Sequence, residues 1–275
     1  MSAIMNATTT PGATARSLWS RFGRQVALGV LGFAVLAAAF EVLSRFELVN
    51  PKLFPPPSVV LPRAATLLID PGFLADVGAT VLATLVGFAI AFCVAVPLGL
   101  LVGSYWAVSA GIMPMVDFLR SIPGIAIIPL LVLTLGQGIE TKVAIVVFVT
   151  VWPMLLNAIY GVRSVDRVAL ETARSFRTSM PRTWFRIVLP SALPLILTGA
   201  RIAMSLGLAV TIATEITIGT QDGIGRFILY ASYSGTDHQT VFAAVVLAGV
   251  LGLLLSIVTS AITHRAVAWE RKGVK

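Results

Sequence analysis

The stretch ETARSFRTSMPRTWFRIVLP, residues 171–190, decides how the rest of this chain is read. Around it, from Val162 to Pro190, lie six arginines (Arg163, Arg167, Arg174, Arg177, Arg182 and Arg186), opposed only by Asp166 and Glu171. It is a long polar insert in a chain of 275 residues that is 57% hydrophobic and only 12% charged, about half the charge of a soluble domain. Mean hydropathy is +0.94. Such a chain has no polar surface to spare and reads as an all-α protein that crosses a membrane several times. The net charge of +8 does not point to nucleic acid, because the cations flank apolar runs instead of gathering on one soluble face. Charge so placed orients helices in a bilayer.

Working outward from the insert, the apolar runs come in order. Residues 1–24 form a polar, Arg-tipped tail, and Val26–Leu43 is the first span, interrupted only by Glu41. A cleaved signal peptide would be shorter and would not be followed by further spans. Pro55, Pro56 and Pro57 forbid a helix and favour an extended bend, after which Ser58 is expected to cap a short helix towards Asp70. The second span is Val77–Val102, with Pro97 as a kink and Gly99 and Gly103 spaced for close helix approach. Cys93, the single cysteine, reads as a packed, inert thiol. The third span, Ile112–Leu135, contains Pro114, Asp117, Arg120, Pro123, Gly124 and Pro129, so its freed backbone groups need protein or a water-lined cavity. The fourth is Val143–Tyr160, the fifth Ala192–Ile218 and the sixth Val241–Thr263. The domain plan is therefore a tail (1–24), a six-helix membrane domain (25–265) holding the insert (162–190), and a basic tail (266–275).

Six spans put both termini on one side. Thirteen Lys and Arg fall on the side of the termini and the insert and five on the other, so the termini and the insert are expected to be cytoplasmic.

Within the insert, Ser164 is expected to cap a helix, with Asp166 in its first turn. Val165, Val168, Ala169, Thr172 and Phe176 share one face, and Arg167, Glu171 and Arg174 another. Met180-Pro181 starts a second helix, with Trp184, Ile187 and Val188 on its apolar side and Pro190 at its end. The prediction is two short amphipathic helices with a corner near Arg177–Ser179. Three uses remain open: a solvated linker, a helix pair lying on anionic lipid, or a docking element for a cytoplasmic partner. Phe176, Trp184 and Phe185 weigh against the linker.

The spacing Glu171-x-Ala173, position 177, then Ile187-x-Leu189-Pro190 resembles the cytoplasmic signature of ABC importer permeases: E-A-A, three residues, G, nine residues, I-x-L-P. Thr172 replaces the middle alanine and Arg177 the glycine. LFPPPSVV, SIPGIAIIPLLVL, GQGIETK, LPSALPLILTGARIA and DGIG, in that order, are similar to the nitrate/sulfonate/taurine group of that family, over about residues 48–269. The resemblance implies a type I importer fold. It implies a permease in a bacterial inner membrane that works as a homodimer with two cytoplasmic ATP-binding subunits. A periplasmic binding protein would deliver a small anion of the nitrate, sulfonate, taurine or aromatic-carboxylate type. It also makes residues 162–190 the coupling loop, with Glu171, Ala173, Arg174, Phe176, Arg177, Arg182, Ile187, Leu189 and Pro190 at the ATPase contact. Glu171 is expected to form an ion pair with the ATPase, the alternative being that Arg167 and Arg174 hold it within the loop. Because glycine tolerates a positive φ at no steric cost, Arg177 implies either a strained corner or a side chain recruited to a new contact.

No G-x-x-x-x-G-K-[ST] occurs in the sequence, so ATP chemistry is expected in another chain and no catalytic residue, cofactor or metal is expected in this one. Glu215 and Arg120, ionisable groups in spans, are candidates for the translocation path. A structural hydrogen bond is the alternative for Glu215, and pairing with Asp117 or snorkelling to the surface for Arg120. Gly199, Ala203 and Gly207 suit a close helix contact, within the chain or across a dimer. The rival class is a stand-alone ion-coupled transporter, which would show internal repeats and broken helices in both halves. Only the third span is strongly broken.

Overall fold

The computed structural model describes residues 13–233, 235 and 237–266. The elements in chain order are α1 (Ala13–Arg45), α2 (Pro57–Leu67), α3 (Pro71–Ser104), α4 (Trp106–Arg120), α5 (Gly124–Leu135), α6 (Ile139–Arg163), α7 (Arg167–Ser175) and α8 (Met180–Thr183). A π-turn (Trp184–Val188) then leads into α9 (Leu189–Ile218), followed by α10 (Ile224–Tyr233) and α11 (His238–Ala266). Among the described residues five helices are long and apolar enough to cross a membrane, and six if α4 and α5, bent by 85° at Ser121–Pro123, count as one broken span. Pro123 lacks an N–H and restricts the residue before it, which is why the break falls there.

The chain divides after Pro62 into two units. In the first, α1 is helical from Ala13, so the second half of the expected 1–24 tail is helix, and residues 1–12 lie outside the described range. Glu41, the charge in the first span, is explained locally. Its carboxylate accepts from Ser58 N (3.0 Å), Ser58 Oγ (2.7 Å) and Arg45 Nε (2.6 Å). Ser58 therefore does not cap α2; Pro57 begins that helix, as suits a residue with no N–H to satisfy.

The second unit is built on α3, α6 and α9. Small residues let their backbones meet: a Cβ on Gly99 would lie 2.5 Å from Ala158 Cβ, and one on Gly199 2.6 Å from Asn157 Cβ. The Gly199–Ala203–Gly207 stripe thus serves a contact with α6 inside the chain and not a dimer seam. Ala91, Ala95, Met154, Ile159 and Ala203 form the buried centre of the three helices, and Ile128, Ile145, Val146 and Val210 carry it onto α5. Cys93 is exposed, on the side of α3 away from this seam, and so is not the packed thiol its surroundings predicted. The 266–275 tail lies outside the described residues from 267 onward.

Candidate functional site

Two polar regions occupy opposite ends of the bundle. The first is the 162–190 loop. Asp166, not Ser164, caps α7, its Oδ1 accepting from Val168 N at 2.9 Å, while Ser164 Oγ turns back to Gly161 O. Asp reaches the N2 amide of the helix it precedes and so wins the cap position. At the other end Thr178 N donates to Ala173 O and Arg177 N to Arg174 O, both at 2.9 Å. This pair of bonds is a Schellman closure, whose C′ residue adopts the left-handed conformation usually given to glycine. That residue is Arg177, with φ 50°. The corner is therefore strained, the first of the two outcomes the replaced glycine implied.

The second half of the loop differs from expectation. Pro190 does not end a helix: α8, the π-turn and α9 run on from Met180 to Ile218. Proline costs a helix its i→i−4 bond. Here the turn before it is already widened, with Leu189 N donating to Trp184 O five residues back, so the ladder is shifted where Pro190 has no donor. Ala173 and Val188 are buried, Ile187 and Leu189 half-buried, and these four anchor the loop to the bundle. Glu171, Arg174, Arg177 and Arg182 are exposed, and among the described residues none of them forms an ion pair. Arg167 and Arg174 thus do not hold Glu171. The apolar face of α7 is split: Val165 is buried and Ala169 half-buried, but Val168 is 66% and Phe176 79% exposed, with Met180 and Phe185 exposed at 66% and 72%.

At the opposite end, charges are buried instead. Lys142 (α6) and Glu215 (α9) are 1% and 0% exposed, and Asp76 (α3) 3%. Lys142 Nζ donates to Glu215 Oε1 (3.1 Å), Asp222 Oδ1 (2.6 Å) and Asp222 O (2.8 Å), which uses all three of its protons. Asp76 accepts from Gly223 N and from Arg226 Nη2, both at 2.7 Å. Thr80 Oγ1 accepts from Ile224 N (2.9 Å), and Glu215 Oε2 accepts from Gly225 N (2.9 Å). The orphan amides that open α10 are thus satisfied by side chains of α3 and α9, and two carboxylates sit at the positive end of its dipole. The DGIG stretch follows from this geometry. Gly223 has φ 114°, and a Cβ there would lie 2.2 Å from the Glu215 carboxylate; one on Gly225 would lie 2.4 Å from Ile212 O. Nearby, Arg63 Nε donates to Thr240 Oγ1 at 2.7 Å, and its Nη2 lies 3.5 Å from Asp237.

Glu215 therefore stands in a closed cluster, and Arg120 forms an exposed pair with Asp117 at 2.9 Å. Asp76, Thr80, Lys142, Asp222 and Arg226 were not singled out from the sequence. Lys142 and Arg226 had counted only as loop charges. The available signal was the coincidence of an acid near the start of one apolar run (Asp76) with a second acid near the end of another (Glu215).

The sequence matches the family described as "Binding-protein-dependent transport system inner membrane component" over residues 95–269. Among curated relatives, a probable ABC transporter permease protein of Brucella abortus (strain 2308) is 31% identical over 90% of this chain and 96% of its own length. The taurine transport system permease protein of Escherichia coli (strain K12) is 30% identical over 90% and 91%, and the bicarbonate transport system permease protein of a Synechocystis species 31% over 82% and 82%. Among solved structures, an inward-facing form of the MetNI methionine ABC transporter superposes with a TM-score of 0.60 at 20% identity, over 73% of this chain and 96% of that one. A bacterial ABC transporter involved in import of the acidic polysaccharide alginate does so at 0.55 and 16%, over 90% and 99%. The fold is thus that of type I ABC importer permeases, and the chain belongs to the family of binding-protein-dependent transport system inner membrane components, as the membrane permease of an ABC importer.

Proposed function

We propose that two copies of this chain form the path for a small oxyanion across a bacterial inner membrane, driven by two cytoplasmic ATP-binding subunits and supplied by a periplasmic binding protein. The observation that carries the coupling part is the exposure of Val168 and Phe176 on α7 and at its end. A helix that exposes Val168 and Phe176, and carries an unpaired Glu171 beside them, is complementary to a groove on another protein. Buried contacts of this size, flanked by a charge that gains a partner on docking, are typical of interface centres. Arg174, Arg177 and Arg182 flank that contact. Ala173, Ile187, Leu189 and Pro190 act from beneath, fixing the loop to α9 so that its displacement is passed to the bundle.

The oxyanion assignment rests on the relatives named for taurine and bicarbonate and for nitrate. The positive-inside count puts the loop and both termini in the cytoplasm, and the Lys142–Glu215 cluster then belongs to the outer end. There Glu215 caps α10 and is not a substrate contact; Arg120, on the broken α4–α5 span, remains the candidate for the path. The test is co-purification of the tagged permease with its cognate ATP-binding subunits, followed by uptake of labelled taurine, nitrate or bicarbonate into proteoliposomes with the binding protein present. A stable complex and ATP-dependent uptake of one of these solutes are expected. Failure to assemble would overturn the coupling reading, and assembly without uptake of any of the three would overturn the oxyanion reading.

A further inference from the structure

The helix α7 buries Ala173 and half-buries Ala169 and Leu170, and leaves two apolar residues and both of its arginines exposed. Its apolar residues Val168 and Phe176 face away from the bundle, whereas Arg167, Leu170 and Arg174 line a cavity of about 440 Å³ between the loop and the ends of α3 and α6. Arg163 adds a third guanidinium, and Ser104, Thr183 and Trp184 are also in the wall. Among the described residues no Asp or Glu lines this cavity. Among the described residues none of the three arginines has an ion-pair partner; Arg163 donates to the Ser109 hydroxyl, which leaves its charge uncompensated. Three guanidiniums turned towards one cavity repel each other unless an anion joins them, and their planar forks match phosphate oxygens.

A second cavity of about 320 Å³ shares Gly103, Ser104 and Arg163 with the first and continues along α4 past Ala110 and Met113 to Trp106. Tyr105 and Trp106 are 53% and 84% exposed at this end of the bundle. Exposed Tyr and Trp at the end of a span mark the headgroup level of a bilayer. The charged cavity therefore lies at headgroup depth, and the second, of mixed polar and apolar lining, leads from it along a membrane helix.

We infer that this pair of cavities binds the phosphate of an anionic phospholipid, with Arg163 and Arg167 on the phosphate and the α4 cavity taking the glycerol. A lipid so bound fills the space between the coupling loop and α3, and braces the loop from the membrane side while its apolar face is free for the ATPase. The inference rests on the cytoplasmic placement of the loop proposed above. Its test needs no ATPase, so its failure is separable from failure of the coupling reading.

The experiment is native mass spectrometry of the purified full-length permease, delipidated and titrated with phosphatidylglycerol or phosphatidylcholine of the same chains. The wild type is expected to prefer phosphatidylglycerol by roughly tenfold or more. Arg163→Gln/Arg167→Gln should bring the two lipids to near-equal binding, and Arg163→Lys/Arg167→Lys should keep most of the preference. The lysine variant also reports whether loss in the glutamine variant comes from charge and not from misfolding. An unchanged lipid preference in the glutamine variant would overturn the site. Inorganic phosphate at millimolar concentration is the control arm. If it binds the lipid-free protein, depends on the same arginines and displaces phosphatidylglycerol completely, the occupant is a free anion and the lipid assignment is overturned.

Discussion

The two ends of this permease use the same residue types to opposite ends. In the cluster at α3, α6, α9 and α10, Lys142, Glu215 and Asp76 are buried and every charge is met by a partner or a backbone amide. In the 162–190 loop six arginines lie near the surface and none is paired with an acid among the described residues. Burial makes the difference. A charge taken out of water must be matched at once, and its removal leaves an uncompensated partner. A charge at the surface costs little unpaired and is free to meet another molecule. The first region therefore reads as self-contained structure, and the second as a set of contacts waiting for partners.

The largest effect should come from the buried end. Lys142→Met leaves Glu215 and Asp222 facing each other without a cation and should destabilise the protein by about 3–5 kcal/mol, seen as a lower melting temperature and yield in detergent. Adding Glu215→Gln, which keeps an acceptor for Gly225 N, should recover at least half of that. A single variant as stable as wild type would mean that the cluster is hydrated and the contrast between the two ends fails. Next comes Gly225→Ala: its Cβ would press on Ile212 O and Glu215 Cβ, and a loss of roughly 1–3 kcal/mol is expected on the same thermal assay.

Across the membrane, Glu171→Ala should leave stability within about 0.5 kcal/mol while ATP-driven uptake falls by roughly tenfold, the effect of losing one charge-assisted contact at an interface. Uptake and assembly at wild-type levels would remove Glu171 from the coupling contact. Arg177→Gly relieves a left-handed non-glycine residue, worth about 1 kcal/mol locally, partly offset by the extra freedom glycine gives the unfolded chain. The expected outcome is a small gain in melting temperature. A loss would mean that the arginine side chain makes a contact worth more than the strain.

The smallest effect is the pH response of Asp237. Burial pushes its carboxyl up, but hydrogen bonds from Thr240 Oγ1 and N and the charge of Arg63 outweigh this and hold it below the usual carboxylate range. A depressed carboxylate contributes stability that is present above its unfolded value, about 3.9, and is lost as pH falls through its folded value. The pair is partly exposed, so the contribution should be a few tenths of a kcal/mol. Melting of Asp237→Asn should therefore differ from wild type at pH 7 and converge with it below about pH 4. A difference that persists in acid would point to Thr240 packing instead of charge.

Much of this architecture was legible in the residues. Long apolar runs require helices because lipid offers no partner for a free backbone. The interruptions from Pro114 to Pro129 announced a broken third span, though not that the bend would fall at Ser121–Pro123, and Arg177 in a glycine position left strain or a new side-chain contact open, of which the structure has the positive φ. Less legible were the places where two distant segments meet. Ser164 and Asp166 are both acceptable caps by residue type, and only the entry angle of the chain chose Asp166. Pro190 signals a helix end by local rules, yet the π-turn before it carries the helix through.

The sequence by itself determined that this chain crosses a membrane, which flank of each span carries the cations, and that the polar insert belongs to an ABC importer permease. The first two are properties of hydrophobicity and charge along the chain, and the third rests on the resemblance of Glu171, Ala173, Ile187, Leu189 and Pro190 to a family signature. Tertiary structure alone decided that Asp76, Thr80, Lys142 and Glu215, up to 139 residues apart in the numbering, close around the start of α10, and that Arg163, Arg167 and Arg174 line one cavity while Val168 and Phe176 stay exposed. A charge in an apolar run declares that it needs a partner, because burial without one is prohibitive. Which partner it finds depends on the register of helices that only packing sets.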